Sequence, residues 1–385
     1  MASPVQTQIE FAASVPLDLI NAMYFTSLAD SHEGLDEWPV RTRERMDPAL
    51  RAELDLLFSC PRNEPGVMGA LNDTLFFHRD ASADVEGLLR FVRELPAEGT
   101  PDPRRPGIQG LALYALRWPG HNEPYLLDDG VSPHAAMAAA LAEEPPLGDL
   151  ACTPPREGEC EPKAMLALFD EPEDVRARML HLIRRFYDEH YRPDEARRVS
   201  CMRRSAEAHE RDRGGEVHEV TRRLLGRNTS CLDTVCTGNY RSYIFVPSVD
   251  VGIYNSCIDY EPLHALYYPC EPQYRGMPDE DEDTRRMALV YRALSDEQRL
   301  RILRLLRDGE LYAQEIVERT GLHQSVVSRH LSFMKAVGLV NVRRQNNMKF
   351  YSLNEEAGNE LRGALALLVP ASAARSGYRS AVNAP

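Results

Sequence analysis

The sequence lacks the long hydrophobic run of a membrane protein and the short motifs of common enzymes. No stretch approaches the roughly 20 apolar residues that cross a membrane. A glycine-rich phosphate loop, Gly-x-Gly-x-x-Gly and Gly-x-Ser-x-Gly are all missing. No basic residue precedes the apolar part of the N-terminus, so no signal peptide is predicted. We therefore expect a cytoplasmic protein with no membrane partner, catalytic residue, cofactor or metal.

Eight cysteines are dispersed through the chain, and none of them forms a Cys-x-x-Cys pair. Without an export signal, reduced thiols are expected. Cys231 and Cys236 are five residues apart in a region with strand-like composition, which is not a zinc spacing. Buried or incidental thiols are favoured there, and a thiol switch at this pair and a metal site are the alternatives.

Charge is distributed very unevenly. The net charge is -14, which by itself argues against nucleic acid as a partner. Residues 284–355, however, contain thirteen basic and seven acidic side chains, whereas residues 1–283 contain 29 basic and 50 acidic ones. A basic module joined to an acidic region indicates a nucleic-acid-binding unit at the C-terminal end.

The domain boundaries follow from proline-rich and acidic stretches. The polar segment EPQYRGMPDEDED ends in a run of carboxylates that we do not expect to pack. We predict an N-terminal effector-binding or dimerisation domain over 1–270, with a subdivision near 145–162. An acidic linker would occupy 271–283, a DNA-binding domain 284–370, and a disordered tail 371–385.

The N-terminal region has mostly helical periodicity, followed by a strand-rich end. Apolar spacing predicts helices over 16–29, 48–58, 84–95 and 172–191. The segments RSYIFVPSVDVGIYNS and LHALYYP are rich in β-branched and aromatic residues and predict a small β-sheet. The expected fold class is α+β and mainly helical, with a C-terminal winged helix-turn-helix.

That winged helix-turn-helix follows from a series of consistent local patterns after Met287. Ser295 and Gln298 have the spacing of a capping box, which predicts a helix from near Glu297 to near Arg307, followed by a glycine. A short helix over 312–320, a turn at Gly321 and a second helix over 324–337 come next.

The second of these helices has the pattern of a recognition helix, because its N-terminal residues would reach base edges in the major groove. Arg329 is suited to a bidentate contact with guanine and Gln324 to one with adenine. The predicted DNA-facing residues at the start of this helix are His323, Gln324, Ser325, Ser328 and Arg329. His330 points partly inward and is interpreted as structural or as a phosphate contact.

Two strands, LVNVRRQ and MKFYSL, flank an Asn346-Asn347 turn and predict a wing. Arg343, Arg344 and Lys349 would give it positive charge. Such charges supply affinity and salt dependence more than sequence choice.

These residues resemble the DNA-binding domain of the ArsR/SmtB family. The resemblance depends on RALSDEQRLRILRLL, GLHQSVVSRHLSFMKAVGLV and the hairpin ending in FYSL. It implies a homodimeric repressor that binds double-stranded operator DNA and leaves it on sensing an effector. It also implies that the dimer is built from the first and last helices of the domain, here 284–294 and 354–369.

The chain departs from the family's metal sensors at both of their usual sites. Where these sensors carry a Cys-Val-Cys motif, this chain has Glu310-Leu311-Tyr312-Ala313-Gln314-Glu315-Ile316. The predicted final helix has no histidine. We therefore expect any small-molecule effector to act through the N-terminal region.

Two other classes of function remain as alternatives to a DNA-binding regulator. In one, the N-terminal domain binds a protein partner, switches through cysteines, or mimics the charge of DNA and folds back on the basic module. In the other, an enzyme is fused to the DNA-binding domain.

Overall fold

The computed structural model describes residues 7–58, 66–100, 102–115, 170–225, 238–254, 256–275, 279–345, 348–354 and 356–358. Several predictions lie outside these residues: the subdivision near 145–162, the Asn346-Asn347 turn, the tail 371–385 and most of the final helix. Within the described residues, none of the helices is long and apolar enough to cross a membrane.

The N-terminal region is helical at first, as predicted. Its first helices are α1 (Val15–Ser27), α2 (Glu37–Arg45), α3 (Pro48–Phe58), α4 (Gly66–Leu75), α5 (Val85–Glu94) and α6 (Ile108–Ala115). They are followed by α7 (Pro172–Phe186), a π-helical turn (Tyr187–Tyr191), a 3-10 turn (Arg192–Asp194), α8 (Glu195–Arg211) and α9 (Val217–Leu225). The predicted helix over 172–191 therefore changes its hydrogen-bonding pattern before its last turn.

A four-stranded sheet lies among these helices, in the order β1 (Gln8–Phe11), β2 (Ser242–Ser248), β4 (Leu263–Pro269) and β3 (Ser256–Tyr260). β1 and β4 pair with β2 in parallel, and β3 pairs with β4 in the antiparallel direction. The sheet predicted from β2, β3 and β4 is present. β1, which the sequence analysis did not predict, completes it.

The two central strands are buried on both faces, and alternate residues belong to different hydrophobic clusters. Ile244 and Val246 join the large helical core with α1. Tyr243 and Phe245 face the other way, against Val220 and Leu224 of α9 and Tyr268 of β4. The helices therefore cover both sides of the sheet, with α1 at the centre of the larger layer.

A charged network lies fully buried between α1, α8 and the end of β2. Arg198 donates from Nη1 to Asp18 Oδ2 at 3.1 Å and from Nη2 to Asp250 Oδ2. Its guanidinium also lies 4.0 Å from the Trp38 ring centroid. Asp18 accepts further bonds from the Tyr191 and Ser248 hydroxyls at 2.8 Å each. The network joins α1 to β2 and α8.

The C-terminal part is a winged helix. A short helix, α10 (Pro272–Arg275), precedes it. The elements of the winged helix are α11 (Asp279–Leu294), α12 (Glu297–Leu306), β5 (Leu311–Tyr312), α13 (Ala313–Thr320), α14 (Gln324–Ala336), β6 (Val340–Gln345) and β7 (Met348–Leu353). Strands β5, β7 and β6 form an antiparallel sheet in that order. Ile302, Ile316, Leu331 and Met334 lie in one core beneath it.

The boundaries of α12, α13, α14 and both wing strands agree with the predicted ones within about one residue. The first helix differs, because α11 begins at Asp279 and includes the acidic run that was expected to form linker. Acidic residues are favoured in the first turn of a helix, where they interact with the partial positive charge of the N-terminus.

Candidate nucleic-acid interface

The helix before the helix-turn-helix is capped by a residue other than the one predicted. Asp296 is the N-cap of α12, and its Oδ1 accepts from the Arg299 backbone N–H at 2.9 Å. The Ser295 hydroxyl instead donates backwards to the Arg292 carbonyl at 2.9 Å. The predicted Ser295–Gln298 capping box is therefore wrong, because the helix starts one residue later than that box requires.

The turn between α13 and α14 depends on Gly321. Its φ of 68° lies in the left-handed region that favours glycine, and its N–H donates to the Val317 carbonyl at 2.9 Å. Glu315 closes the other end of α13 by accepting from the Tyr312 N–H at 3.1 Å. These local contacts fix the angle at which α14 leaves the turn.

Helix α14 has one buried and one exposed face. Val327, Leu331 and Met334 are at most 1% exposed. Arg329 follows Val327 by two residues, a rotation of about 200° about the helix axis. It is exposed, on the side opposite the core. The best candidate for reading a base is therefore on the outer face.

The other predicted residues of this helix are placed less uniformly. His323 is the exposed N-cap and Gln324 is the half-buried first residue of α14. Ser325 follows Gln324 in α14, and its side chain is not among those that the structure describes. Ser328 was expected on the outer face but is 6% exposed. It precedes Leu331 by three residues, so the two side chains lie on the same side of the helix.

The wing carries less available charge than predicted. Arg343 is exposed, but its guanidinium pairs with Glu310 at 2.6 Å and lies 4.9 Å from the Phe350 ring centroid. Arg344 lies opposite Lys349 in the β6–β7 register, and its side chain is outside the described set. Lys349, on the middle strand β7, is only 7% exposed. Lys349 was predicted to be exposed on the wing, and the structure places its side chain in a buried position instead.

A loop from the N-terminal region lies next to α14, which the sequence analysis did not foresee. Arg299 donates to the Ala293 and Arg292 carbonyls at 3.0 and 2.9 Å and to Glu33 Oε1 at 2.8 Å. Burial, and then the positive charge of Arg329, lower the pKa of His32 to about 4. Residues 266 positions apart therefore meet at Glu33 and Arg299, and the neighbouring His32 lies within the electrostatic influence of Arg329.

His330 lies inward, as interpreted from the sequence, and is 5% exposed. Burial is the main cause that lowers its pKa, and the neighbouring Arg299 and Arg329 act in the same direction, whereas Asp296 opposes them. A neutral imidazole is thus favoured at physiological pH. This residue supports α14 from within rather than adding charge to its surface.

The predicted thiol pair, Cys231 and Cys236, lies outside the described residues. The structure instead brings Cys201 of α8 against Cys270 at the end of β4, both 1% exposed. The hydrogen bond that Cys270 donates lowers the pKa of Cys201, with burial opposing and Arg275 assisting. The same bond and burial raise the pKa of Cys270. Nothing in the spacing of Cys201 and Cys270 indicated this contact.

Over the described parts of the chain, no group of three or more His, Cys, Asp or Glu side chains is arranged to hold a metal ion. Tyr312, the N-cap of α13, and Gln314, in its first turn, occupy the two positions where the metal sensors of the resembled family have cysteines.

Comparison with known proteins matches the winged helix. Residues 296–342 match the sequence profile of "Bacterial regulatory protein, arsR family". The transcriptional activator HlyU of Vibrio cholerae is 33% identical over 87 residues, which are 22% of this chain and 81% of HlyU. The nodulation protein NolR of Rhizobium meliloti is 34% identical over 88 residues, covering 23% of this chain and 72% of NolR.

Two further matches concern the same segment. The transcriptional repressor SdpR of Bacillus subtilis is 34% identical over 65 residues, which are 17% of this chain and 72% of SdpR. The solved structure of HlyU from Vibrio cholerae has 33% identity, covers 22% of this chain and 94% of that chain, and gives a TM-score of 0.20.

The fold and the sequence matches together define the class: a regulatory protein with a winged helix-turn-helix. The chain belongs to the ArsR family of bacterial regulatory proteins. The resemblance inferred from the sequence is confirmed.

Proposed function

We propose that this protein binds duplex DNA sequence-specifically through α14 and the wing, acts as a homodimer, and represses transcription. The observation that carries the proposal is the exposed Arg329 on the outer face of a helix-turn-helix with an ArsR-family sequence. An arginine there can donate two hydrogen bonds to the O6 and N7 atoms of guanine. Residues 284–370 would form the DNA-binding domain.

A homodimer would place one α14 in each of two successive major grooves of a pseudo-palindromic site, about 34 Å apart. The first and last helices of the winged helix would supply the dimer contact. A repressor needs only to occupy its operator to exclude other proteins, and SdpR of Bacillus subtilis is named as a repressor.

The N-terminal region would then control affinity for DNA, as the sensor of an unidentified effector or as a dimerisation platform. The contact between Glu33 and Arg299 supports this assignment, because it joins the two parts of the chain at a guanidinium that lies 5.0 Å from the Phe333 ring of the recognition helix. A protein-interaction or redox role for the N-terminal region remains the alternative.

The binding test uses a duplex selected from a random-sequence library with the full-length wild-type protein. Arg329→Ala should weaken binding to the selected duplex by roughly 5- to 150-fold and reduce its preference over a scrambled duplex. Arg343→Ala should weaken binding to both duplexes alike and lower the salt slope by about one. Fluorescence anisotropy at several salt concentrations measures both effects.

Arg192→Ala is the matched control. This arginine is exposed, pairs with Asp188 and lies in the 3-10 turn of the N-terminal region, so the variant removes one positive charge away from the winged helix. Its binding should equal that of the wild type. Unchanged affinity and preference in Arg329→Ala would refute the assignment of α14 to the major groove.

A further inference from the structure

The loop between α1 and α2, residues 28–36, packs against the winged helix; we call it the docking loop. It touches α11, α12 and α14 rather than solvent alone. Its sequence, LADSHEGLD, contains three carboxylates and no lysine or arginine. An acidic loop therefore lies on the flank of the helix assigned to the major groove.

The centre of the contact is the ion pair between Glu33 and Arg299. Arg299 is 3% exposed, is held by two backbone carbonyls at the end of α11, and lies 5.0 Å from the Phe333 ring centroid of α14. Glu33 uses its side chain for Arg299, while its backbone carbonyl accepts from the Tyr254 hydroxyl at 2.6 Å. The loop is thus held from both sides.

Gly34 brings the backbone of the docking loop directly onto the winged helix. Its φ is 79°, and a Cβ placed there would lie 3.0 Å from Phe333, 3.1 Å from Leu289 and 2.7 Å from Ile253. Ile253 itself packs against the winged-helix core. A side chain at position 34 would therefore strain the backbone and force Phe333 and Leu289 to shift, which loosens the contact.

Asp36 closes the other end of the docking loop. It forms ion pairs with Arg285 of α11 and, at 3.5 Å, with Arg275 of α10. Because Arg285 and Arg299 both engage acidic groups of the loop, two of the thirteen basic side chains that make the C-terminal module positive are partly neutralised.

The electrostatic consequence of this docking is unfavourable for DNA. Residues 1–283 carry a net charge of -21, and the docking loop holds this region beside Arg329. His32 of this loop, whose pKa burial and the charge of Arg329 lower to about 4, is neutral at physiological pH and so contributes no compensating positive charge. At low salt, where screening is weak, the interaction between two unit charges about 10 Å apart in water changes affinity by about twofold.

We propose that the docking loop is an autoinhibitory contact: it holds the acidic N-terminal region against the recognition helix, and its release strengthens binding to duplex DNA. The proposal depends on the DNA-binding function proposed above. In this proposal, the N-terminal region acts on α14 through the docking loop.

The test measures binding of full-length variants to the selected duplex and to its scrambled version. Gly34→Ala should bind both duplexes more tightly, because it loosens the contact that holds the acidic region beside α14. Glu33→Gln should bind both about twofold more tightly, because it removes one negative charge and weakens the pair with Arg299. Since repulsion between charges is independent of sequence, the preference for the selected duplex should remain unchanged.

Two matched variants control for charge and for backbone strain. Glu10→Gln also removes one carboxylate and one ion pair, with Arg79, on β1. Gly215→Ala also places a side chain at a positive φ, 110°, where the flexible Glu219 side chain is the one close neighbour among the residues that the structure describes. Both should bind DNA like the wild type.

Circular dichroism establishes that each variant is folded, and Glu33→Gln is mild enough to remain so. Unchanged or weaker binding in folded Glu33→Gln and Gly34→Ala would overturn the autoinhibitory role. A wild-type protein that selects no duplex and binds none at low salt would instead contradict the proposed function itself. The two failures are therefore distinguishable.

Discussion

Replacement of Arg198 by methionine tests the buried network that joins α1, α8 and β2. Arg198 is 0% exposed, and the two carboxylates that it contacts, Asp18 and Asp250, are 0% and 2% exposed. Methionine is also long and unbranched, so it removes the positive charge with a modest change in packing. Two carboxylates then remain buried without their cation.

Removal of one partner from a buried ion pair typically costs about 3–5 kcal/mol, because the remaining charge is left uncompensated. We expect the free energy of unfolding of the N-terminal region to fall by that amount. At a urea dependence of about 3 kcal/mol/M, the midpoint should shift by about 1–2 M. Trp38 stacks on Arg198, so its fluorescence reports on this region during a urea titration.

Arg197→Met provides the matched control for this experiment. Arg197 is the preceding residue of α8, but its side chain is 46% exposed and pairs with Asp194 near the surface. Its replacement should cost less than about 1 kcal/mol. Addition of Asp250→Asn to Arg198→Met should restore part of the lost stability, because it removes one of the orphaned charges. An Arg198→Met protein within 1 kcal/mol of the wild type would refute the reasoning.

Two further predictions concern stability. Asp296→Ala should lower the free energy of unfolding of the winged helix by about 1 kcal/mol, because it removes the N-cap of α12, whereas Ser295→Ala should leave it nearly unchanged. Thermal melts followed by circular dichroism compare the two variants. Equal losses of stability would indicate that Ser295 also caps the helix. Burial raises the pKa of Asp250 to about 6, above its usual value near 4, although the charge of Arg198 acts in the opposite direction. Between about pH 4 and pH 6 the folded state therefore binds more protons than the unfolded state. The stability of the wild type relative to Asp250→Asn should therefore fall by roughly 3 kcal/mol as the pH rises from about 4 to 6, and a difference that is independent of pH would contradict the buried environment assigned to Asp250.

The winged helix was predictable because its determinants are local. Gly321 must adopt a positive φ, and the apolar spacing of α14 fixes which residues face the core. The cap of α12 was placed one residue early, because Ser295 and Asp296 are both good N-caps and only the backbone geometry distinguishes them. A sequence pattern thus predicts the position of a helix more reliably than it identifies the residue that caps its N-terminus.

Contacts between distant residues were not predictable in this way. β1 pairs in parallel with β2, more than 230 residues later, so its four residues carry no local sign of a partner. Glu33 and Arg299 are 266 residues apart. Each side chain alone has the character of an ordinary surface charge. The flank of the candidate interface is therefore formed by residues whose role appears only when the chain is folded.

Helix α1 connects the buried charged network with the docking loop. Near its N-terminal end, Asp18 accepts hydrogen bonds from Arg198, Tyr191 and Ser248, which fixes the helix against β2 and α8. Just beyond its C-terminal end, the chain forms the docking loop on α14. A helix of 13 residues is about 20 Å long. The buried network and the docking loop therefore lie at opposite ends of one helix, while Ile253 and Tyr254, just beyond β2, contact the same loop from the side of the sheet.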